Sequence, residues 1–276
     1  MKNLILSLFI IGLSSCTLIG QDEAKTIKKS PFVIGETLEF HSEILDETRK
    51  LNIYLPFDYD TSSTDYPVIY LLDGSRSEDF IHIAGLTQFA TFPWIDMIPR
   101  SIVVGVANND RMRDFTYPTT IEEDIKNIPT QGGSKEFIEF MKKEVQPLVE
   151  KEYRTNQERT LIGQSIAGLA AAEILFKQPD LFDNYLIVSP SMWWDNESLL
   201  DLEPAFSEID EPKKVFLTVG NEGEIMVGGA EKLRDFLQNY PSKINLSYRY
   251  FEEHNHGDVL HQAAYRGFEW LYKEKN

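Results

Sequence analysis

Apolar positions along this chain fall into two alternating rhythms. Short runs of continuous or every-second-residue hydrophobicity, which suit strands, are separated by stretches where apolar residues recur every three or four positions, which suit helices. "TLEFHSEI" and "RKLNIYLP" alternate and are joined by the polar "LDET", so they predict an early antiparallel pair. "YPVIYLLDG" is continuously apolar until Asp-Gly stops it, as expected of a strand buried on both faces. "SIVVGVAN", "ERTLIG", "NYLIVSP", "KKVFLTVG" and "INLSYRYFE" are further strand candidates.

The helical rhythm lies between and after these strands. "SKEFIEFMKKEVQPLVEKEY" puts Phe137, Phe140, Met141, Val145, Leu148 and Val149 on one face. "IAGLAAAEILFKQ" and "GGAEKLRDFLQNY" follow later strands, and "HQAAYRGFEWLYKE" closes the chain. Strands alternating with helices predict an α/β fold: a mostly parallel twisted sheet of about eight strands with helices on both faces. No internal repeat or low-complexity segment interrupts the pattern.

The N-terminus has a different character. In "MKNLILSLFIIGLSSC" one Lys precedes an apolar run from Leu4 to Leu13, too short to span a bilayer but built like a signal-peptide core. "LSSC" resembles a bacterial lipobox, so residues 1–15 are expected to be a lipoprotein signal peptide and Cys16 the lipidated residue. Residues 16–36 then read as a polar tether, and residues 37–276 as the globular domain. The implied location is the bacterial cell envelope, periplasmic or on the outer membrane, with membrane contact only through the lipid anchor. Cys16 is the chain's single cysteine, so none remains for disulfides, metal or catalysis.

Net charge changes the picture once more. At −17 over 276 residues, with acidic groups spread throughout, the chain should repel nucleic acid and anionic surfaces. A small-molecule partner is the remaining expectation, and the sequence leaves the oligomeric state open.

In open α/β sheets, sites form outside the carboxyl ends of the strands, so the residues after each strand are the candidates. Ser165 lies where "RTLIG" turns into "IAGLAAAEIL". A serine on such a turn is either an exposed nucleophile or a helix cap. The nucleophile turn packs strand against helix, so its neighbours two before and two after must be small; Gly163 and Ala167 are, and Gly168 follows.

A serine nucleophile needs a base, and the base needs a group to hold its tautomer. Of the three later histidines, His261 falls on the final helix, and His254 and His256 follow the last strand. His256, before Gly257, is favoured. The preceding strand ends in "GNEGE"; Glu222 is preferred as the acid, with Glu224 the alternative and a Ser–His dyad also possible. The order Ser, acid, His suits this arrangement.

For an oxyanion, the Ile166 N–H is one expected donor and the N–H of Ser75 or Gly74 the second. "HNHGD" with His261 is a poor metal set: it lacks H-E-x-x-H and any cysteine. No Walker loop or G-x-G-x-x-G follows a strand, so no cofactor is expected.

Several separated stretches together resemble one family. They are "VIYLLDG", "VGVANNDRMRDFTYP", "GGSKEFIEFMKKEVQPLVEKEYRT", "RTLIGQSIAGLAA", "LFDNYLIVSPSMWWDN", "TVGNE" and "HGDV", spanning about residues 35–273. The chain resembles the branch of the α/β-hydrolases that holds esterase D-like enzymes and siderophore trilactone esterases. That resemblance implies an α/β-hydrolase fold and a serine carboxylesterase acting through an acyl-enzyme, with Ser165 as nucleophile, His256 as base and Glu222 as acid. It implies an ester substrate such as a siderophore trilactone or an acylated or feruloylated saccharide. A binding protein retaining the fold, or an acyltransferase with the same residues, are the alternatives.

The resemblance also gives Gly74 and Ser75 an oxyanion-loop role and suggests Trp193 and Trp194 as pocket walls, though such Trp pairs also serve as core. Arg111 would grip a polar substrate or form an Arg–Asp lock in its loop. The chain departs from the family pattern at Gln164, usually His, and at Ala167, usually Gly.

Overall fold

The computed structural model describes residues 27–272; the expected signal peptide, Cys16 and much of the tether lie outside them. The described residues divide into two units, the first ending at Val33 and the second beginning at Ile34. Residues 27–33 carry no regular structure.

All eight expected strands form, in one sheet of order β1-β2-β4-β3-β5-β6-β7-β8. β1 (Glu36–Ser42) and β2 (Glu47–Tyr54) make the antiparallel pair, registered from Glu36 opposite Ile53 to Ser42 opposite Glu47. β2 runs antiparallel to β4 (Ile102–Val106), and from there the sheet is parallel. β3 (Tyr66–Leu71) sits between β4 and β5 (Thr155–Gln164), followed by β6 (Asn184–Val188), β7 (Lys213–Gly220) and β8 (Ile244–Phe251). β3, β4 and β6 are buried along their whole length, which explains their unbroken apolar sequence.

Because strand side chains alternate in direction, each central strand feeds two cores. Val68 and Tyr70 of β3 join the larger core, while Ile69 and Leu71 join the smaller one. The smaller core takes α1 (Phe80–Ala90) and α8 (Val259–Leu271). The larger takes α6 (Ile166–Lys177), α7 (Gly223–Leu237) and the long helical run from residue 134 to 152. Helices therefore cover both faces. The fold is that of an α/β-hydrolase.

Three features depart from the hydrophobic pattern. α1 is not announced by it, because Ile81 and Phe89 face solvent while its apolar residues crowd most of its circumference. Two short helices, α2 (Arg111–Phe115) and α3 (Glu122–Asn127), lie in what reads as loop. The long helix is not uniform: α4 (Ser134–Phe140) passes through a π-helical turn (Met141–Val145) into α5 (Gln146–Glu152). Pro147 supplies the reason, since it has no N–H for a carbonyl one turn back and its ring crowds that carbonyl. The face it presents is as expected, with Phe137, Phe140, Met141, Val145 and Val149 fully buried.

Candidate active site

The strand ends converge on Ser165. It follows β5 directly and precedes α6, with φ 61° and ψ −122°, a region costly for a residue with a side chain. Its backbone is pinned on both sides. The Ser165 N–H donates to the Val188 carbonyl at 3.0 Å, and its carbonyl accepts from the N–H groups of Leu169 (2.9 Å) and Ser191 (3.0 Å). The strain of about 1–3 kcal/mol is thus held by neighbouring structure rather than relieved.

The helix-cap reading fails on geometry, because the Ser165 side chain makes no capping bond to α6. Its Oγ instead lies 3.4 Å from Ser191 Oγ. Close packing explains the small residues around it. A Cβ on Gly163 would lie 2.3 Å from the Ala167 carbonyl oxygen, and one on Gly168 would lie 2.9 Å from the Val188 oxygen. Ala167 itself is fully buried without conflict, so glycine is needed at 168, not 167.

His256 and Glu222 meet. His256 Nδ1 and Glu222 Oε2 are 2.5 Å apart, with the carboxylate side chain almost fully buried and the imidazole half exposed. The other oxygen, Oε1, accepts from Ser189 Oγ at 2.5 Å and from the Gly220 N–H at 2.9 Å. Burial works to raise the Glu222 carboxyl, but the bonds from His256, Ser189 and Gly220 outweigh it and hold it below the ordinary carboxylate range. Glu222 is therefore an ionised acceptor at neutral pH. Glu224, two residues on, is exposed. Among the other candidate bases, His254 faces Asp258 at 3.6 Å and His261 meets His82 across α1 and α8 at 2.9 Å.

The His256 loop is drawn against the Ser165 turn by Gln164, whose Nε2 donates to the His256 carbonyl at 2.6 Å. Among the described residues no hydrogen bond joins Ser165 Oγ to His256. The elements bearing Ser, acid and His are thus assembled with the Ser165 hydroxyl turned toward Ser191.

The expected oxyanion donors divide. Ile166 is the first residue of α6, where N–H groups lack helical partners. The Gly74 N–H is committed to the Val106 carbonyl at 3.0 Å, and its carbonyl accepts from Asn52 Nδ2 at 2.8 Å. Gly74 is there because β4 passes so close that a Cβ would sit 2.3 Å from the Gly105 Cα. It is a packing residue, which corrects its expected role against substrate. The Ser75 N–H donates to Glu78 Oε2 at 3.1 Å, an exposed bond that an oxyanion would have to displace.

Two further expectations are corrected. Trp194 is fully buried and donates its indole N–H to the Tyr117 carbonyl at 2.9 Å, so it is core, whereas Trp193 is 38% exposed and free to meet a ligand. Arg111 does form a lock, but with Asp73: Nε and Nη2 clamp its two oxygens at 2.6 and 2.8 Å, and Nη2 also reaches the Gln164 carbonyl at 3.3 Å. Through Nε and Nη2, Arg111 ties the Asp73 loop to the end of β5 and so holds the site's frame. Ser189, Ser191 and Gln164 were not read as functional; only their places after β6 and at the end of β5 hinted at it.

The cavity of about 470 Å³ lined by Tyr117, Ser134, Ile138, Glu173 and Lys177 touches the C-terminal half of α6, away from the Ser165 turn.

A strained serine at a strand–helix turn, with a carboxylate-bound histidine on the loop beside it, defines a hydrolase-type site on an α/β-hydrolase sheet. Comparison with known proteins narrows the class. The model of the family described as "Putative esterase" matches residues 42–266. The ferri-bacillibactin esterase BesA of Bacillus subtilis is 29% identical over 176 residues, covering 56% of this chain and 59% of that protein. Among solved structures, an IroE-like serine hydrolase from Shewanella oneidensis superposes with a TM-score of 0.77 and 31% identity, covering 86% of this chain and 80% of the other. The BES protein from Bacillus cereus gives 0.80 and 28%, covering 90% and 99%. The chain belongs to this esterase family.

Proposed function

We propose that the protein is a serine esterase in which Ser165 is the nucleophile, His256 the general base and Glu222 the residue that orients it. The observation that carries this is the 2.5 Å bond between a buried, ionised Glu222 and His256, on a loop tied to the turn bearing the strained Ser165.

The roles follow from the chemistry. Glu222 accepts from Nδ1, which leaves the lone pair on Nε2 to take the Ser165 proton and stabilises the imidazolium that results. The Ser165 hydroxyl turns from Ser191 toward that nitrogen and attacks the ester carbonyl. The alkoxide leaves with the proton from His256, and water activated by the same imidazole releases the acyl group. The Ile166 N–H binds the developing oxyanion, joined by the Ser75 N–H once Glu78 swings away. No cofactor enters any step.

The relatives' names support a substrate class. One relative is named a ferri-bacillibactin esterase and another, from Emericella nidulans, a siderophore enterobactin esterase, so the reading extends to a siderophore lactone or a related aryl-acyl ester, with Trp193 beside the acyl group. The lipobox-like "LSSC" supports placement at the cell envelope as a lipoprotein, where such esters enter.

The test is hydrolysis of p-nitrophenyl acetate and of a catecholate trilactone by the wild-type protein beside Ser165→Ala. The expected result is turnover that falls about 10⁴-fold or more in the variant. Equal rates in the two proteins would refute the assignment.

A further inference from the structure

We infer that Gln164 is a positioning residue for His256; this rests on the serine esterase reading above. Gln164 ends β5, one residue before the nucleophile, and its side-chain N–H donates to the His256 carbonyl at 2.6 Å. His256 is thereby held twice from two strands: its ring by Glu222 after β7, its peptide by Gln164 at the end of β5. The remaining supports of the loop act on its neighbours. The Asn221 N–H donates to the His254 carbonyl at 2.6 Å, and Asp258 Oδ1 accepts from the Asn255 N–H at 2.8 Å. Among the described residues, Gln164 makes the one hydrogen bond on the His256 carbonyl.

The same residue reaches the other side of the site. Its main-chain carbonyl accepts from Arg111 Nη2, and Arg111 clamps Asp73 at the head of the Ser75 loop. One hydrogen-bonded chain, Asp73–Arg111–Gln164–His256, thus spans the oxyanion loop, the nucleophile turn and the base. Each link is fixed by a different strand end, so the distance from base to nucleophile is set where the two meet.

An amide suits this place because its donor does not titrate. A carboxylate there would face the His256 carbonyl with no proton to give until it is protonated. That difference separates a positioning role from mere packing.

Gln164→Leu, Gln164→His and Gln164→Glu, with Ser165→Ala as control, would be assayed on p-nitrophenyl acetate from pH 5 to 8.5, with melting curves alongside. Gln164→Leu keeps the bulk and loses the donor: kcat should fall about three- to tenfold with KM unchanged and the melting temperature lowered by a few degrees at most. Gln164→His, which retains a ring N–H, should recover most of the rate. The ratio of Gln164→Glu to wild type should rise as pH falls, because the protonated acid donates again. Wild-type kcat in Gln164→Leu, or a flat Gln164→Glu ratio, would overturn the inference. If wild type and Ser165→Ala turn over alike, the esterase reading fails first and Gln164 has no reaction to position.

Discussion

Two clusters of carboxylates and basic side chains stand near the ends of the strands, and they meet opposite fates. In one, Arg49 and Asp114 are both fully buried and joined at 2.6 Å, with Arg113 and Glu47 completing the set. Hydrogen bonding to Arg113, with help from Arg49, pulls the Glu47 carboxyl down to about 2. Both oxygens of Asp114 are used, and the Arg49 and Arg113 guanidinium groups point back into the same network. In the other cluster Glu222 is just as completely engaged, yet its partner His256 is half exposed and spends one ring nitrogen on it. A cluster whose charged groups all bond to one another is structure. A saturated acid that leaves its partner with a free nitrogen is chemistry.

Substitution should separate the two sharply. Glu222→Gln, which keeps the shape but offers an amide to a histidine that needs an acceptor, should lower kcat by about a thousandfold or more, while Glu224→Gln stays near wild type. Steady-state kinetics on one ester would show it, and equal losses in both would break the contrast. Asp114→Ala should do the reverse. It strands a buried guanidinium, so about 3–5 kcal/mol of stability is lost, read from urea midpoints, while folded molecules keep their KM.

Smaller effects concern pH and pull in opposite directions. Burial, then the neighbouring His261, lower the His82 pKa from the ordinary 6.5, so the unfolded chain takes up the proton first. Stability should therefore fall as pH drops below about 6.5, and His82→Gln should flatten that slope. Asp79 is the opposite case: burial, with Asp73 and Glu78 adding to it, pushes its carboxyl up to about 6. Its ionisation costs stability as pH rises through that value, so Asp79→Asn should raise the urea midpoint at pH 8 and leave it unchanged at pH 4. A wild-type pH profile in both variants would remove these two groups from the account.

Much of this was legible before any coordinates, for a physical reason. Strand burial is written in local alternation, so all eight strands could be read, and a strand-end site restricts candidates to a few short stretches. Ser165, Glu222 and His256 were picked out as candidates that way, and the structure brings Glu222 and His256 together. What could not be read depends on distant neighbours. Trp193 and Trp194 are identical in sequence terms, yet only one is exposed, because the other's indole finds the Tyr117 carbonyl. Arg111 finds Asp73 rather than the adjacent Asp114, which Arg49 claims from β2. The Gln164 bond to His256 joins residues 92 positions apart. α1 escaped notice because a helix with apolar residues on most sides has no stripe to detect.

The central claim is that Ser165 is a nucleophile activated by His256. Labelling with a fluorophosphonate, followed by peptide mass mapping, tests it most directly. The account predicts a single adduct on Ser165, formed rapidly in wild type and far more slowly in His256→Ala. An adduct on Ser75, Ser189 or Ser191 instead, or no adduct at all, would contradict it.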